Sequence, residues 1–358
     1  MFRNISEICI SADYTIKGAM SCINGSRCSI ALVVDTERRL LGTITDGDVR
    51  RAVLAGIDLE KQVSVLLTSK INSKYPKPIT ATIGTGRDEL LALMHEHFLR
   101  HIPILDNHGK VVDMVMLDDL VSSQYMPLQA VIMAGGIGAR LRPLTEDLPK
   151  PMLHVGGKPL MELVIEQLRQ AGIRRINVTT HFKPEKIREH FGDGKDFGVE
   201  FYYFNEEQPL GTGGSLGLID APAEPILVIN GDILTQVDFK AMLAFHREHK
   251  ADMTMAVRQY SMQVPYGVVE CEGPRVCSLS EKPKMPFLVN AGIYILEPTV
   301  FRFIPNGEHF NMTDLIQWLL DAGSNVISFP IIEYWLDIGH HADYERAQDD
   351  VESGKLKK

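Results

Sequence analysis

The sequence predicts an α/β protein in two parts: a repeated β-α-β module, then a larger domain of alternating strands and helices. Three observations carry that expectation. Within residues 1–125, Ala31-Leu32-Val33-Val34-Asp35 recurs as Ile102-Pro103-Ile104-Leu105-Asp106, and at the same displacement Leu40-Leu41 recurs as Val111-Val112 and Asp48-Val49 as Asp119-Leu120. From residue 129 onward, apolar runs of strand length alternate with helix-spaced runs, the order of domains built on parallel connections. The 358 residues are 45% hydrophobic and 23% charged, enough to bury more than one ordinary core.

Several classes are excluded at this level. A formal charge of -9 offers no basic face for nucleic acid, so any phosphate must be held locally by placed cations, amides or metal. No run approaches the roughly 20 apolar residues of a membrane span, and Met1-Phe2-Arg3-Asn4 lacks the design of a signal peptide. The five cysteines (Cys9, Cys22, Cys28, Cys271, Cys277) include no C-x-x-C pair, which points to reduced thiols and a cytoplasmic protein.

Taken in order, the repeats span about 1–66 and 67–125 and are joined by Ser69-Lys70-Ile71-Asn72-Ser73-Lys74-Tyr75-Pro76. Each copy reads strand, polar turn, strand, then the start of a helix, and Leu90-Leu91-Ala92-Leu93-Met94 supplies a helix before the second. The polar run Ser122-Ser123-Gln124-Tyr125-Met126-Pro127 marks the domain boundary. Beyond it, strands are expected at 129–134, 175–180, 199–204, 225–229, 252–258 and 288–296. Helices are expected at 159–171, 184–191, 238–249 and 312–322. The larger domain should occupy 128–348, and 349–358 reads as a flexible tail.

The first strand of the larger domain runs into Gly135-Gly136-Ile137-Gly138-Ala139-Arg140. A glycine loop after a buried strand aims backbone amides at an anion. Leu141 replaces the third glycine of a dinucleotide fingerprint, and no Gly-Lys-Ser/Thr follows, so this is neither that motif nor a Walker loop. Arg140 and Lys150 add two cations beside the loop, a set suited to a triphosphate. Asp232 ends the apolar strand Ile226-Leu227-Val228-Ile229, where α/β sheets place their ligands. Asn-Gly-Asp by itself is more often a turn. The adjacent His340-His341 does not read as a metal pair, because neighbours at a helix start do not face one another.

The stretch Gly42-Thr43-Ile44-Thr45-Asp46-Gly47-Asp48-Val49-Arg50, with the repeat around it, resembles a tandem CBS module. The resemblance implies that Thr45 and Asp48 hold the ribose of AMP, ADP or ATP. The second copy departs from the pattern, with Met116 opposite Thr45 and Asp113 opposite Gly42. A scaffold without ligand is the alternative, and association of such modules implies a homodimer or larger oligomer.

Gly135 through Met152 resembles the signature of the sugar-1-phosphate nucleotidyltransferases. Further motifs follow in that family's order: Pro209-Leu210-Gly211-Thr212-Gly213-Gly214, Asn230-Gly231-Asp232, Tyr266-Gly267-Val268-Val269-Glu270, Glu281-Lys282-Pro283, Asn290-Ala291-Gly292 and Trp335-Leu336-Asp337-Ile338-Gly339. Ala139 departs from the family's usual Thr or Ser. The resemblance implies a Rossmann-like, GT-A-like mixed sheet and a reaction joining a nucleoside triphosphate to a sugar 1-phosphate with release of pyrophosphate.

In that reading Arg140 and Lys150 stabilise the triphosphate, and Asp232 and Asp337 bind Mg²⁺. Lys282 grips the sugar phosphate, Glu281 accepts from sugar hydroxyls, and Asn290 and Gly267 line the sugar pocket. Gln208 and Gly211, with the backbone of Gly135 and Gly136, lie near the base, and Gly138 and Thr212 join the substrate-binding set. The run from Glu207 to Gly214 is most similar to the mannose- and heptose-phosphate guanylyltransferases. The CBS fusion resembles bacterial glucosamine-1-phosphate guanylyltransferases of legionaminic acid biosynthesis. GTP and glucosamine 1-phosphate are therefore the expected substrates, with thymidylyl or cytidylyl transfer as the alternative within the family. A non-catalytic nucleotide-sugar sensor and a metal-dependent glycosyltransferase are the competing classes. The retained Arg140, Lys150, Asp232 and Asp337 argue against the first, and the two cations against the second.

Overall fold

Each half of the N-terminal repeat builds the same three-stranded sheet. In the first, β1 (Cys9–Ile10), β2 (Ile30–Val34) and β3 (Leu40–Thr45) lie in that order, β1 parallel and β3 antiparallel to β2. Helix α1 (Ile16–Ser26) makes the parallel crossover, and α2 (Asp46–Leu54) and α3 (Ser64–Lys70) follow. The second half repeats the plan with β4 (Ala81–Thr82), α4 (Arg87–His97), β5 (His101–Leu105), β6 (Val111–Met116) and α5 (Leu117–Leu120). The computed structural model describes residues 5–26, 28–70, 76–120, 126 and 128–356, and the chain separates into units Met1–Gln124 and Tyr125–Lys358. Of the expected joining segment, Ser69 and Lys70 belong to α3, while 71–75 lie outside the described residues. Most of the expected boundary, 121–125 and Pro127, also lies outside them.

The repeat holds down to single hydrogen bonds. A bulge falls at Val33/Val34 in one copy and at Ile104/Leu105 in the other. In the turn that follows, Asp35 Oδ1 accepts the Glu37 and Arg39 amides at 2.9 and 2.8 Å. Asp106 Oδ1 accepts those of His108 and Lys110 at 2.9 Å each. Aspartate recurs because its side chain satisfies the amides of its own tight turn. The two turns also meet, Leu40 N donating to Gly109 O at 3.1 Å and Val111 N to Arg38 O at 3.0 Å. Ile30 and Leu32 pack with Val111, Met114 and Met116, so each copy covers an apolar face the other leaves open.

Thr45 and Asp48 are occupied within this unit. Thr45 is the N-cap of α2: its hydroxyl accepts the Asp48 amide at 3.3 Å, and Asp48 Oδ2 accepts the Thr45 amide at 2.7 Å. The same carboxylate meets Lys70 Nζ at 2.5 Å and Arg51 at 2.7 Å. Burial pushes the Asp48 carboxyl up, but Lys70, the Thr45 amide and Arg51 outweigh it and hold it below its ordinary value. A depressed carboxyl contributes stability that is present above its unfolded pKa and lost as pH falls through the folded one. Asp48→Ala is therefore expected to cost about 2 kcal/mol at neutral pH and to make stability less acid-sensitive below about pH 4. Urea unfolding of parent and variant at neutral and acid pH checks this; equal stabilities at neutral pH would refute it.

The second unit is a mixed sheet with helices on its faces. It opens with β7 (Gln129–Ala134), the short pair β8 (His154–Val155) and β9 (Lys158–Pro159), and α6 (Leu160–Ala171). Next come β10 (Arg175–Thr180), α7 (Pro184–Phe191), β11 (Glu200–Asn205), the single turn α8 (Gly211–Gly214), β12 (Ile226–Asn230), β13 (Ile233–Thr235) and α9 (Phe239–Glu248). The chain continues through β14 (Met253–Gln263), β15 (Val268–Glu272), β16 (Arg275–Ser280), β17 (Lys284–Leu296), α10 (Met312–Asp321), β18 (Val326–Ile331), β19 (Trp335–Asp337) and α11 (His341–Glu352).

The seven-stranded order is β11-β10-β7-β12-β17-β14-β18. Four strands from β11 to β12 are parallel, β17 is antiparallel to both β12 and β14, and β18 is parallel to β14. Strands β7 and β12 are central, with apolar side chains on both faces, and Ala130, Val131, Ile132, Leu227, Val228 and Ile229 are fully buried.

Two expectations need correction. Strands β14 and β17 run past the predicted 252–258 and 288–296, because they continue to pair with each other out to Gln263↔Lys284. The hairpin β15–β16 follows on this exposed excursion. The supposed flexible tail is also structured through Leu356. Helix α11 runs to Glu352, and Leu356 is only 5% exposed, packed in the cluster of Leu141, Leu153, Leu336 and Ile338. Lys355 Nζ meets Asp350 Oδ1 at 2.8 Å. The polar, lysine-rich composition hid one apolar anchor. Truncation after Ser353 is expected to lower unfolding free energy by about 2 kcal/mol, the value of one buried leucine. Denaturant melts of the full and shortened chains measure it, and an unchanged midpoint would contradict the packing.

Candidate active site

The site is assembled where β7 and β12 end. After Ala134, Gly135 passes so close to Glu206 that a Cβ there would collide with Glu206 Oε1. Gly138 sits at φ +61, and its carbonyl accepts the Thr145 hydroxyl at 2.8 Å, closing the loop on itself. After Pro149, Lys150 starts a 3₁₀ turn, is only 8% exposed, and puts its ammonium 2.5 Å from Asp232 Oδ2. Asp232 follows Gly231, whose amide donates to Met133 O at 2.9 Å and whose Cα lies too near that carbonyl to carry a side chain.

Asp337 reaches the same place by a different route. The ribbon β13–β19 pairs Ile233 with Asp337, and Ile338 N donates to Asp232 O at 3.2 Å. Partial burial raises the Asp337 carboxyl above its usual value. The Asp232 carboxylate adds to that, and Lys150 and Arg140 temper it. Two carboxylates held together beside two cations are thus a built feature. Asp232 Oδ1 and Asn230 Oδ1 are both buried without a hydrogen-bond partner among the described residues. An orphaned carboxylate oxygen next to a second carboxylate suits a hard divalent cation that keeps substrate phosphates among its ligands.

The structure therefore brings together Gly135, Gly138, Lys150, Asp232 and Asp337. Arg140 is exposed on the same loop as the glycines, its NH1 3.5 Å from His340 Nε2. Other predicted residues are placed differently. Gly211 and Thr212 pack on the segment before α10: Gly211 has φ +76, and the Thr212 hydroxyl accepts the Met312 amide at 2.9 Å. Gln208 donates to Gly307 O at 3.2 Å.

Asn290 is exposed on β17, donating to Tyr294 Oη at 2.7 Å and accepting from Gly292 N at 3.0 Å. Gly136 is exposed on the loop. Gly267, Glu281 and Lys282 lie on the exposed excursion, where Lys282 Nζ is 3.9 Å from Glu281 Oε1. Among the described residues, no hydrogen bond or ion pair joins either Glu281 or Lys282 to the two aspartates.

Two residues escaped the sequence reading. Glu206 is 6% exposed, its carboxyl is raised by burial, and its Oε2 accepts the Leu210 amide at 3.0 Å, tying the end of β11 to the Gly211 turn. Nothing in Glu206-Glu207-Gln208 marks which acid turns inward, although its place one residue beyond β11 was a usable signal. His340 was weighed only against His341, and its partner lies on the glycine loop.

A glycine loop, two cations and two carboxylates at the carboxyl end of central strands form an arrangement suited to polyphosphate. Residues 129–354 match the family described as nucleotidyl transferase, and residues 3–55 and 71–125 match the CBS domain. The chain belongs to the nucleotidyl transferase family and carries a tandem CBS module ahead of that domain.

It is 33% identical over 234 residues to a mannose-1-phosphate guanylyltransferase of Mycobacterium tuberculosis, covering 63% of this chain and 65% of that one. The heptose relative, a D-glycero-alpha-D-manno-heptose 1-phosphate guanylyltransferase of Aneurinibacillus thermoaerophilus, is 31% identical, covering 63% of this chain and 99% of that one. The chain thus spans just under two thirds of the length of the mycobacterial relative and nearly all of the heptose enzyme. The crystal structure of HddC from Yersinia pseudotuberculosis superposes with a TM-score of 0.50 at 27% identity, covering 63% of this chain and 99% of that one. No helix among the described residues is long and apolar enough to cross a membrane.

Proposed function

We propose that the second unit transfers a nucleotidyl group from a nucleoside triphosphate to a sugar 1-phosphate, forming a nucleotide sugar and pyrophosphate. The observation that carries this reading is the meeting of Lys150 with Asp232 at 2.5 Å, beside Asp337 and at the mouth of the glycine loop. A phosphate oxygen of the sugar phosphate attacks the α-phosphorus, and the bond from that phosphorus to the bridging oxygen of the leaving pyrophosphate breaks. The nucleophile is already anionic, so the site needs no Ser, Cys or His nucleophile. Its work is to position two anions and to stabilise spreading charge.

In the free protein Lys150 pairs with Asp232 Oδ2 alone. A bound triphosphate gives the ammonium a phosphate partner and releases Asp232 Oδ2. Arg140 is long enough to follow the charge that builds on the departing pyrophosphate. Asp232 and Asp337 would hold Mg²⁺, which when bound would draw charge from the α-phosphate oxygens. At Gly135 and Gly138 an added Cβ would meet Glu206 and Thr145, whereas Gly136 faces open space.

GTP is the favoured nucleotide, supported by the guanylyltransferase relatives, and glucosamine 1-phosphate is the first acceptor to try. The CBS module would answer to an adenine nucleotide only by replacing the contacts of Lys70 and Arg51 with Asp48. Calorimetry of the full chain with AMP, ADP and ATP tests that part, and silence with all three removes it. Light scattering with and without these nucleotides tests the expected homodimer; a monomer under both conditions rejects it.

The transfer reaction is tested by pyrophosphate release with Mg²⁺, crossing four nucleoside triphosphates with glucosamine, N-acetylglucosamine, mannose and glucose 1-phosphates. Release with GTP and one sugar is expected. Release with another nucleotide corrects the base, and no release in any well, with nucleotide still bound, turns the reading to a sensor.

A further inference from the structure

Among the described residues, the two histidines that follow Asp337 belong to no group of three or more His, Cys, Asp or Glu placed to hold a metal ion. They nevertheless point at one target. His341 Nε2 lies 2.9 Å from the carbonyl of Arg142, and His340 Nε2 lies 3.5 Å from Arg140 NH1. Both contacts end on the short segment Ala139–Arg142 that carries the exposed cation of the glycine loop.

A carbonyl only accepts, so the His341 ring donates through Nε2–H. A guanidinium only donates, and the His340 ring also accepts the Asp343 amide in the capping box of α11, so the 3.5 Å approach of Nε2 to Arg140 is a packing contact against the guanidinium.

Their base is tied to the carboxylate turn. Asp343 Oδ2 accepts the His340 amide at 2.9 Å at the start of α11, and Ile338 N is tied to Asp232 O at 3.2 Å. The loop segment is exposed, and an arginine side chain carries about 2 kcal/mol of rotamer entropy. Gly339 lies between them: a Cβ there would make ordinary contacts, 3.7 Å from Asp343 Oδ2 and 3.9 Å from both Arg140 NH1 and Asp337 Oδ1.

We infer that His340 and His341 are positioning residues that clip the glycine loop to the carboxylate turn, holding Arg140 over the place where the triphosphate must lie. The inference rests on the transfer reaction proposed above for its catalytic consequence, but not for the clip itself. His341 fixes the backbone of the loop, and His340 narrows the spread of the guanidinium. Losing either leaves the two carboxylates and Lys150 in place and lets Arg140 wander. Misplacement of a charge-stabilising group by about 1 Å is enough to cost on the order of 100-fold.

The test uses the full chain with His340→Ala, His341→Ala and His341→Gln, each alone and the first two also in an Arg140→Ala background. His341→Ala and His340→Ala should each lower kcat about 10-fold or more, with the KM for sugar phosphate unchanged within about threefold. His341→Gln should recover most of the loss, since its amide N–H still reaches a carbonyl acceptor. In the Arg140→Ala background both alanine substitutions should cost little more, because the group they position is gone.

Hydrogen exchange over residues 139–144 needs no turnover and should quicken in His341→Ala. Full activity in the single variants overturns the inference, as does an equal loss with and without Arg140, or unchanged exchange. A parent enzyme silent with every substrate would sink the transfer reaction instead, and the exchange measurement would still decide the clip.

Discussion

If the second unit carries out the proposed transfer, Asp232→Asn is expected to lower its kcat by about 10²–10³-fold while nucleotide affinity stays within severalfold. The substitution keeps the shape of the side chain and an acceptor for Lys150, now 2.5 Å away, but removes the negative charge. It also removes the neighbour that helps to raise the Asp337 carboxyl, which should move back toward its ordinary value. Two consequences can be separated by measurement. Steady-state pyrophosphate release reports the lost charge, and calorimetric titration with GTP reports whether the loop and cations still bind triphosphate. Activity within threefold of the parent would show that Asp232 is a strand-end turn residue and that the divalent cation is held elsewhere. Lost binding together with lost activity would show that the ion pair organises the loop rather than the reaction.

Gly211→Ala is expected to destabilise the second unit by about 2–4 kcal/mol, a large share of the stability of an ordinary domain. The backbone there has φ +76, where an L side chain is strained by about 1–2 kcal/mol. An added Cβ would also sit 2.7 Å from Phe310 O, a backbone atom that cannot swing aside. The neighbouring glycines meet the same obstacle, Gly213 against Asn311 C at 2.9 Å and Gly214 against Glu308 O at 2.5 Å. Three glycines therefore form a bed for the segment entering α10, and the Thr212 hydroxyl caps that segment at the Met312 amide. Thermal and urea melts test the effect. A raised KM for nucleotide with unchanged stability would restore the base-contact role that the motif resemblance implied for Gly211.

These two positions show how differently the site could be read from sequence. Asp232 stands at the end of a fully apolar strand, and in an α/β chain that position alone nominates it for a ligand. Gly211 stands in an equally visible motif, yet its visibility came from a packing partner about a hundred residues away. The same residues would look alike in a linear reading whether they met a base or a backbone. Lys282 and Glu281 make the point again. Their motif is clear, but the structure sets them on the exposed excursion with each other for company.

The N-terminal repeat was legible because its causes are local. A turn aspartate that satisfies its own amides, a bulge in the strand beside it and a helix cap after the second strand all act within a few residues. Copying the sequence therefore copies the structure, down to the bulges at Val33 and Ile104. The Thr45–Asp48 pair was read as a ligand site, and its first use in the structure is the capping box of α2. Lys70, which completes that arrangement, belongs to a helix that no local pattern connects to it.

By itself, the sequence determined the internal repeat, the main strands and helices from β7 to α10, the glycine loop and the short set of charged residues able to do phosphate chemistry, while β18, the β15–β16 hairpin and α11 escaped it. Periodicity, turn chemistry and motif spacing are near-neighbour properties, and they survive in one dimension. Only the tertiary structure decided which of those charges meet. Asp232 and Asp337 are joined by the β13–β19 ribbon, Lys150 is buried against the first of them, and Glu206 presses on Gly135. His340 reaches Arg140 from the far end of the chain. Each of these pairings is set by how the central strands stack and cross. That depends on burying apolar faces contributed by the whole domain, which no local stretch of sequence encodes.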